Sequence, residues 1–140
     1  MDWKLELVVV PVADVDRAKA FYLEQAGFDL QVDHSSGDAF RVVHVTPPGS
    51  ACSVALMKNE AAAGTTQGLH LVVSDIDAAH AQLVGRAMVV GDSFHYESGR
   101  QLPGPDPHRA DSGSFFTFAD PDGNGWLVQE VGFATSSSAG

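Results

Sequence analysis

The chain has 140 residues, of which 44% are hydrophobic, and a formal net charge of −10 at pH 7. This length and composition predict one domain with an apolar core, and the acidic balance argues against nucleic acid and anionic membranes as partners, since both attract clustered Lys and Arg. No apolar stretch approaches the roughly 20 residues of a membrane span. Residues 1–4 do not resemble the start of a signal peptide and Cys52 is the only cysteine, so we expect a cytoplasmic protein without an internal disulfide.

The first part of the sequence predicts a β-α-β-β-β order. Asp14 is a suitable N-cap, and apolar residues then recur at helical spacing as far as Gly27, a residue that favours the end of a helix. We therefore predict a helix over residues 14–26. Runs rich in β-branched and aromatic residues predict strands over residues 4–11, 28–34, 40–46 and 52–58.

The same order of elements is predicted again after a linker. Residues 59–67, rich in Ala, Gly and Thr, separate a first module, 1–58, from a second, 68–134. The last six residues, 135–140, are expected to form a flexible tail.

In the second module, Asp75 is predicted to cap a helix over residues 75–85. Residues 91–113 form a long connection that contains three prolines. Long connections inside compact domains are commonly binding loops, so we expect this one to close over a ligand. Strands are predicted over residues 69–73, 88–90, 114–119 and 125–131.

An internal repeat relates the two modules. The sequence Val-Ala-Asp-Val-Asp-Arg-Ala at 12–18 returns 61 positions later as Val-Ser-Asp-Ile-Asp-Ala-Ala at 73–79. A repeat at a fixed offset indicates a duplicated supersecondary unit.

The sequence Phe-Ala-Asp-Pro-Asp-Gly-Asn at 118–124 precedes the last strand. An EF-hand has a twelve-residue loop with a terminal Glu, which this segment lacks, so we interpret it as a tight β-turn rather than a calcium loop.

Together these features resemble the vicinal oxygen chelate superfamily, which includes glyoxalase I, extradiol dioxygenases, fosfomycin-resistance transferases and bleomycin-binding proteins. The resemblance implies an α+β fold in which tandem βαβββ modules form a curled mixed sheet around a central cleft that holds one small ligand.

The resemblance also implies where a metal would be bound. Metal-dependent members place one ligand on the first strand and one on the last strand of each module. In this sequence the corresponding positions are Leu7, Ala55, Gly68 and Leu127. None of these has a side chain that coordinates a divalent metal. We therefore expect no metal at the usual site and no cofactor.

Strand alternation predicts which side chains face the cleft. His70 and Gln129 are its main predicted polar groups, and His70 is the one candidate for a catalytic role, as a general base near neutral pH. For His70 a structural tie to a backbone carbonyl is the alternative, and for Gln129 a structural tie to a neighbouring strand. Glu130 falls on the other face, where we expect a solvated charge or a dimer contact. The predicted apolar lining is Leu7, Val9, Ala55, Met57, Val72 and Leu127.

Further candidates lie on the third strand and in the long connection. The register leaves open whether His44 and Arg41 reach the cleft or the surface. The candidates for covering the cleft are His95, Tyr96, Arg100, His108 and Arg109.

These observations favour a protein that binds a small, largely apolar molecule, such as an aromatic or polyketide-like compound, without the usual metal site. A metal-dependent lyase or dioxygenase with a displaced ligand set, built from His70, His44 and a loop histidine, is the alternative. An interaction or scaffold protein is a third. Exposed sheet edges also lead us to expect a homodimer.

Overall fold

The computed structural model describes residues 1–37 and 40–134, which form two compact units. The first unit contains Met1–Thr66 and Asp120–Asn124, and the second contains Gln67–Ala119 and the chain from Gly125 onward. The expected tail, 135–140, lies outside the described residues. The module boundaries drawn from the sequence stay a prediction, because these units are defined by contacts and not by position along the chain.

The first unit is one sheet with one helix. Its strands lie in the order β1-β4-β3-β2, with β1 parallel to β4 and the other neighbours antiparallel. The elements are β1 (Leu7–Val12), α1 (Val15–Ala20), a π-helical turn (Phe21–Gln25), β2 (Asp29–Ser36), β3 (Phe40–Thr46) and β4 (Ser53–Lys58).

The second unit repeats this plan with one addition. Its sheet has the order β5-β9-β8-β6-β7, and β5 is parallel to β9. The elements are β5 (Leu69–Val73), α2 (Ile76–Gly85), β6 (Phe94–Glu97), β7 (Arg100–Pro103), β8 (Ser114–Ala119) and β9 (Gly125–Glu130). Two mixed sheets, each with its helix, confirm the predicted α+β class, and in both units the first strand is parallel to the last.

The additional strand of the second sheet corrects two predictions. The predicted strand at 88–90 is wrong, since only Val90 makes an isolated bridge there, to Phe118. The predicted loop 91–113 contains the hairpin β6–β7. Its turn residues, Ser98 and Gly99, have φ of 52° and 76°, and positive φ at both central residues is what a two-residue type I′ hairpin turn requires.

Both helices begin as the repeated aspartates predict. The Asp14 side chain accepts a hydrogen bond from the backbone N–H of Arg17, and the Asp75 side chain accepts from Asp77 and Ala78. Each Asp keeps an extended backbone, so each helix begins one residue later than its capping residue. In the described part of the chain, no helix is long and apolar enough to cross a membrane.

Each core lies between the sheet and its helix. Burying each large apolar side chain stabilises the fold by about 1.5–3 kcal/mol. In the first unit, α1 packs on β3 and β4. The buried side chains there include Val10, Val12, Val43, Val45, Leu56, Val15, Ala18, Phe21 and Tyr22. In the second unit, α2 packs on β8 and β9. Its buried apolar side chains are Ile76, Met88, Phe116, Phe118, Trp126 and Val128.

Candidate functional site

The second sheet has one face toward α2 and one face free of it. The ring of His80 on α2 meets the ring of Phe116 on β8, with centroids 5.1 Å apart, so Phe116 marks the helix side. Neighbouring residues on a strand point to opposite faces, so Phe115 lies on the other side. We call that side the free face of the second sheet.

Register places the predicted second-module residues together on this free face. His70 pairs with Leu127 and Val72 pairs with Gln129 across the parallel strands β5 and β9, while Gln129 pairs with Phe115 on β8. Val72 is 60% exposed, His70 is exposed, and Leu127 and Gln129 are half-buried. All four therefore lie on the sheet face opposite α2, and their place in a ligand cleft stays a prediction.

His70 and Gln129 are hydrogen-bonded to each other. The distance from His70 Nε2 to Gln129 Oε1 is 2.7 Å. The Gln129 amide nitrogen donates to the backbone carbonyl of Ser112 at 3.0 Å. The two groups therefore form one connected polar pair on the free face.

Three aromatic rings lie on the same face, a grouping that the sequence patterns did not predict. Phe94 pairs with Phe115 across β6 and β8, and their rings are stacked with centroids 5.5 Å apart. Tyr96, which is 55% exposed, meets Phe94 at 5.9 Å and Phe115 at 5.8 Å, both edge-on. The alternation from Phe94 to Glu97 followed by Ser98-Gly99 is the signal that would have identified this hairpin.

His95, predicted to cover the cleft, instead faces the opposite side of the sheet and is 5% exposed. Its Nδ1 lies 2.8 Å from the Gly104 carbonyl oxygen and its Nε2 lies 3.1 Å from a Glu97 carboxylate oxygen. The carbonyl of Gly104 and then the Glu97 carboxylate raise the pKa of His95 above its ordinary value of 6.5.

Glu130 contradicts the expectation of a solvated charge, since it is fully buried. Its carboxylate accepts from the backbone N–H of Ile76 at 2.8 Å, at the first turn of α2. Arg109 donates to it through two nitrogens, at 2.9 and 2.5 Å. The partial positive charge of a helix N-terminus and a guanidinium together compensate for the buried negative charge.

Arg109 therefore does not cover a cleft but ties its segment to α2 and β9. Its guanidinium lies over the ring of Phe133 at 3.7 Å and 3.2 Å from a carboxylate oxygen of Asp77. Glu130 is the main cause of the raised pKa of Arg109. Arg100 and His108 are exposed, and their predicted place over the cleft stays a prediction.

The first-unit candidates also share one face of their own sheet. Val9 and His44 both pair with Ala55, and Met57 lies two residues further along β4. Ala55 is 3% exposed and Val9 is 54% exposed. His44 therefore lies on the same face of the first sheet as Val9 and Ala55, and its place in a ligand cleft stays a prediction. Leu7 lies on the same face, two residues before Val9.

Arg41 lies on the helix side of the first sheet. It forms ion pairs with Asp33 and Asp16, and Lys19 on α1 binds Asp33 as well. Arg41 and then Lys19 lower the pKa of Asp33 from 3.8 to about 2.

A surface depression of about 350 Å³ lies beside the start of α1. It is lined by Ala13, Asp14, Val15, Asp16, Phe40, Arg41, Met57 and Lys58.

The predicted turn at 120–124 is confirmed. The Asp120 carboxylate accepts from the backbone N–H groups of Asp122 and Asn124, from the Asn124 amide and from the Tyr22 hydroxyl, at 2.8–3.0 Å. Asp120 Oδ1 and Oδ2 are thus used by protein donors. Gly123 N–H donates to the Asp120 carbonyl at 2.9 Å, as in a tight turn.

The donor set does not fit the metal site of metal-dependent members of the superfamily. Leu7, Ala55 and Leu127 carry hydrocarbon side chains at the four expected positions, and Gly68 carries none. Within 1–37 and 40–134, no three His, Cys, Asp or Glu side chains come together as a metal-binding group. The metal-free state stays a prediction.

The fold agrees with the relatives of the chain. The family model of the Glyoxalase/Bleomycin resistance protein/Dioxygenase superfamily matches residues 4–128. The chain belongs to this superfamily, and the resemblance seen in its sequence is confirmed.

Individual relatives align along almost the whole chain. The uncharacterized protein YetH of Bacillus subtilis (strain 168) is 28% identical over 128 residues, which cover 88% of this chain and 94% of YetH. The structure of TnmS3, an antibiotic binding protein from Streptomyces sp. CB03234, is similar with a TM-score of 0.68 and 31% identity, over 93% of this chain and 97% of TnmS3. A glyoxalase/bleomycin resistance protein from the same Streptomyces strain has a TM-score of 0.66 and 32% identity, over 91% of this chain and 100% of its own.

Proposed function

We propose that this protein binds a small, largely apolar aromatic molecule without a metal, and that the ligand lies on the free face of the second sheet. The observation that carries the proposal is the adjacency of stacked, accessible rings to the His70–Gln129 pair. Flat apolar surfaces supply affinity and a few fixed polar groups orient the ligand, which is the usual composition of a small-molecule site.

The relatives support this class of function. TnmS3 is an antibiotic binding protein and shares 31% of its aligned residues with this chain. The predicted lining also includes Leu7, Val9, Ala55 and Met57 on the first sheet, and that part of the proposal rests on the sequence alone. His70 as a general base is a further prediction from the sequence.

The alternative of a metal-dependent lyase or dioxygenase has weaker support. A displaced ligand set would need further donors beside His70. In the second unit, His95 lies on the opposite face of the sheet, and both of its ring nitrogens face other groups. Metal analysis of protein purified without a metal-affinity tag tests this alternative directly.

Binding of 2-naphthol, measured by calorimetry, tests the proposed function. Phe115→Leu keeps an apolar side chain but removes the stacking ring, so we expect binding to weaken by about 3- to 10-fold, the value of one aromatic pair. Phe40→Leu is the matched control, because Phe40 is an exposed phenylalanine that lies in the first unit. Equal effects of the two substitutions, or no binding by the unmodified protein, would argue against the proposed surface.

A homodimer and a cytoplasmic location remain proposals. The edge strand β1 follows a segment in which Trp3 is 89% exposed and Leu5 is 71% exposed. Exposed apolar groups beside an open sheet edge favour association. Light scattering at micromolar concentration tests the dimer, and a single monomeric species would refute it.

A further inference from the structure

Ser112 is the starting point of a hydrogen-bond relay on the free face. It has φ of 62°, a left-handed conformation that is costly for a residue with a Cβ. Its N–H donates to the Glu130 carbonyl at 2.7 Å. Nearby, Gly132 N–H donates to the Asp111 side chain at 2.7 Å. The Ser112 carbonyl is therefore held in one position against β9.

This carbonyl determines the orientation of the Gln129 amide. A carbonyl oxygen only accepts hydrogen bonds, so the amide group that faces Ser112 at 3.0 Å must be the NH₂. The amide oxygen of Gln129 consequently points toward His70.

The Gln129 oxygen in turn determines the tautomer of His70. It lies 2.7 Å from Nε2 and only accepts, so Nε2 must carry the proton. In the neutral imidazole, Nδ1 is then the atom with a free lone pair. Within the described part of the chain, Nδ1 has no hydrogen-bond partner, and His70 is exposed.

We propose that Ser112 and Gln129 are positioning residues that fix His70 as a hydrogen-bond acceptor at Nδ1. The site therefore selects flat apolar ligands that carry a hydroxyl or N–H donor, such as phenols, over the same molecules with that donor methylated. This preference deepens the proposed function and rests on it, whereas the tautomer does not depend on any ligand.

The first experiment examines the protein without a ligand. Long-range ¹H–¹⁵N spectra of the histidine side chains, recorded at about pH 8, where an ordinary imidazole is neutral, should show His70 protonated at Nε2. In Gln129→Leu the fixed oxygen is absent, and His70 should become a mixture of tautomers. An Nδ1–H form in the unmodified protein would overturn the relay.

The second experiment compares two probes, 2-naphthol and 2-methoxynaphthalene, at the same pH. The unmodified protein should bind 2-naphthol about 3- to 10-fold more tightly, the value of one ordinary hydrogen bond. This ratio should fall to about one in His70→Phe, and it should fall in Gln129→Leu. Val72→Ala, a substitution on the same face that removes only apolar surface, should leave the ratio unchanged.

The outcomes separate the two proposals. Equal binding of both probes by the unmodified protein overturns the ligand preference alone. If neither probe binds, the proposed function and the ligand preference both fail, while the tautomer measurement still decides the relay.

Discussion

The helices of the two units begin with the same capping aspartate, yet their first turns are tied down differently. Val12 and Val73 are equivalent in the repeat, and they pair with Lys58 and Glu130 on the last strand of each sheet. The same structural position thus carries an exposed lysine in one unit and a fully buried glutamate in the other.

The charge at this position decides how each helix is held. In the second unit, Glu130 accepts from the first turn of α2 and binds Arg109. Lys58 has no acceptor to offer. In the first unit the nearest counterpart is Asp122, which accepts at 3.2 Å from the N–H of Ala13, the residue before the cap, and pairs with Arg17 at 2.7 Å.

The two ties differ most in their exposure to water. Arg17 is 52% exposed and Arg109 is 21% exposed, while their carboxylate partners Asp122 and Glu130 are 7% and 0% exposed. An exposed ion pair contributes little to stability, while removing one partner of a buried pair leaves an uncompensated charge. The two units thus share the capping aspartate, but the polar contact behind the cap is made by different residues.

Substituting the two arginines gives the largest expected effect. Arg109→Met should lower the free energy of unfolding by about 3 kcal/mol, at the low end for a buried pair because the arginine is partly exposed. The matched Arg17→Met should lower the free energy of unfolding by at most about 1 kcal/mol, because Arg17 is half exposed and Asp122 still accepts from the Ala13 N–H. Urea unfolding of both variants measures the difference, and similar losses would contradict the comparison.

A double substitution sharpens this result. Arg109→Met combined with Glu130→Leu leaves no unpaired buried charge, so it should recover part of the loss caused by Arg109→Met alone. A larger loss in the double variant would show that the Ile76 contact of Glu130 outweighs the ion pair.

The next largest loss of stability is expected from a substitution at Gly64, where the chain packs closely against the 120–124 turn of the first unit. A Cβ on Gly64 would lie 2.1 Å from the Asp122 carbonyl oxygen, and Gly64 has φ of 81°. Gly64→Ala should therefore destabilise the protein by about 3 kcal/mol through strain and displacement of the turn. Gly68→Ala is the control, since Gly68 has φ of 78° but no neighbour within 4 Å. Gly68→Ala should lower the free energy of unfolding by about 1 kcal/mol, the backbone strain alone. Urea unfolding of both variants measures the difference. Equal losses in the two variants would exclude the close approach of Gly64 to Asp122 as the cause.

Local patterns predicted much of this fold. The strands at 40–46, 69–73 and 114–119 have the bounds that their apolar runs and flanking turns indicate, and both caps follow from an Asp before a helical period. The face of His70 and Gln129 follows from alternation alone. These features depend on neighbours close in the sequence, and a pattern contains that information.

Features set by distant partners were not predictable in this way. Burial of Glu130 depends on Arg109, which is 21 residues away, so its chemistry alone favoured an exposed position. The aromatic group depends on the register between β6 and β8, and the His70–Gln129 bond depends on the register between β5 and β9. A single sequence gives no measure of either register.

The loss of stability at acidic pH should depend on Asp33 in the first unit. The pKa of Asp33 falls from 3.8 to about 2 in the folded protein. A lowered pKa stabilises the fold above the unfolded value, and this contribution is lost as the pH falls through the folded value. Asp33→Asn should therefore flatten the decline in melting temperature between about pH 4 and about pH 2. Asp29→Asn, on the same strand, is the control, and an unchanged acid profile in Asp33→Asn would contradict the prediction.

The smallest effect should appear near neutral pH and come from the second unit, through His95. Its folded pKa is raised above 6.5, chiefly by the Gly104 carbonyl. A raised pKa means that protonation favours the folded state, so the contribution is fully present below about pH 6.5 and is lost as the pH rises through the folded pKa. Unfolding free energies from about pH 6 to about pH 8.5 should decline less steeply in His95→Gln than in the unmodified protein. His108→Gln, which removes an exposed histidine of the same unit, should keep the original slope. If the unfolding free energy of His95→Gln instead declines more steeply with pH, the Gly104 carbonyl and Glu97 do not stabilise the charged form of His95. The pH dependence near neutrality must then come from another group.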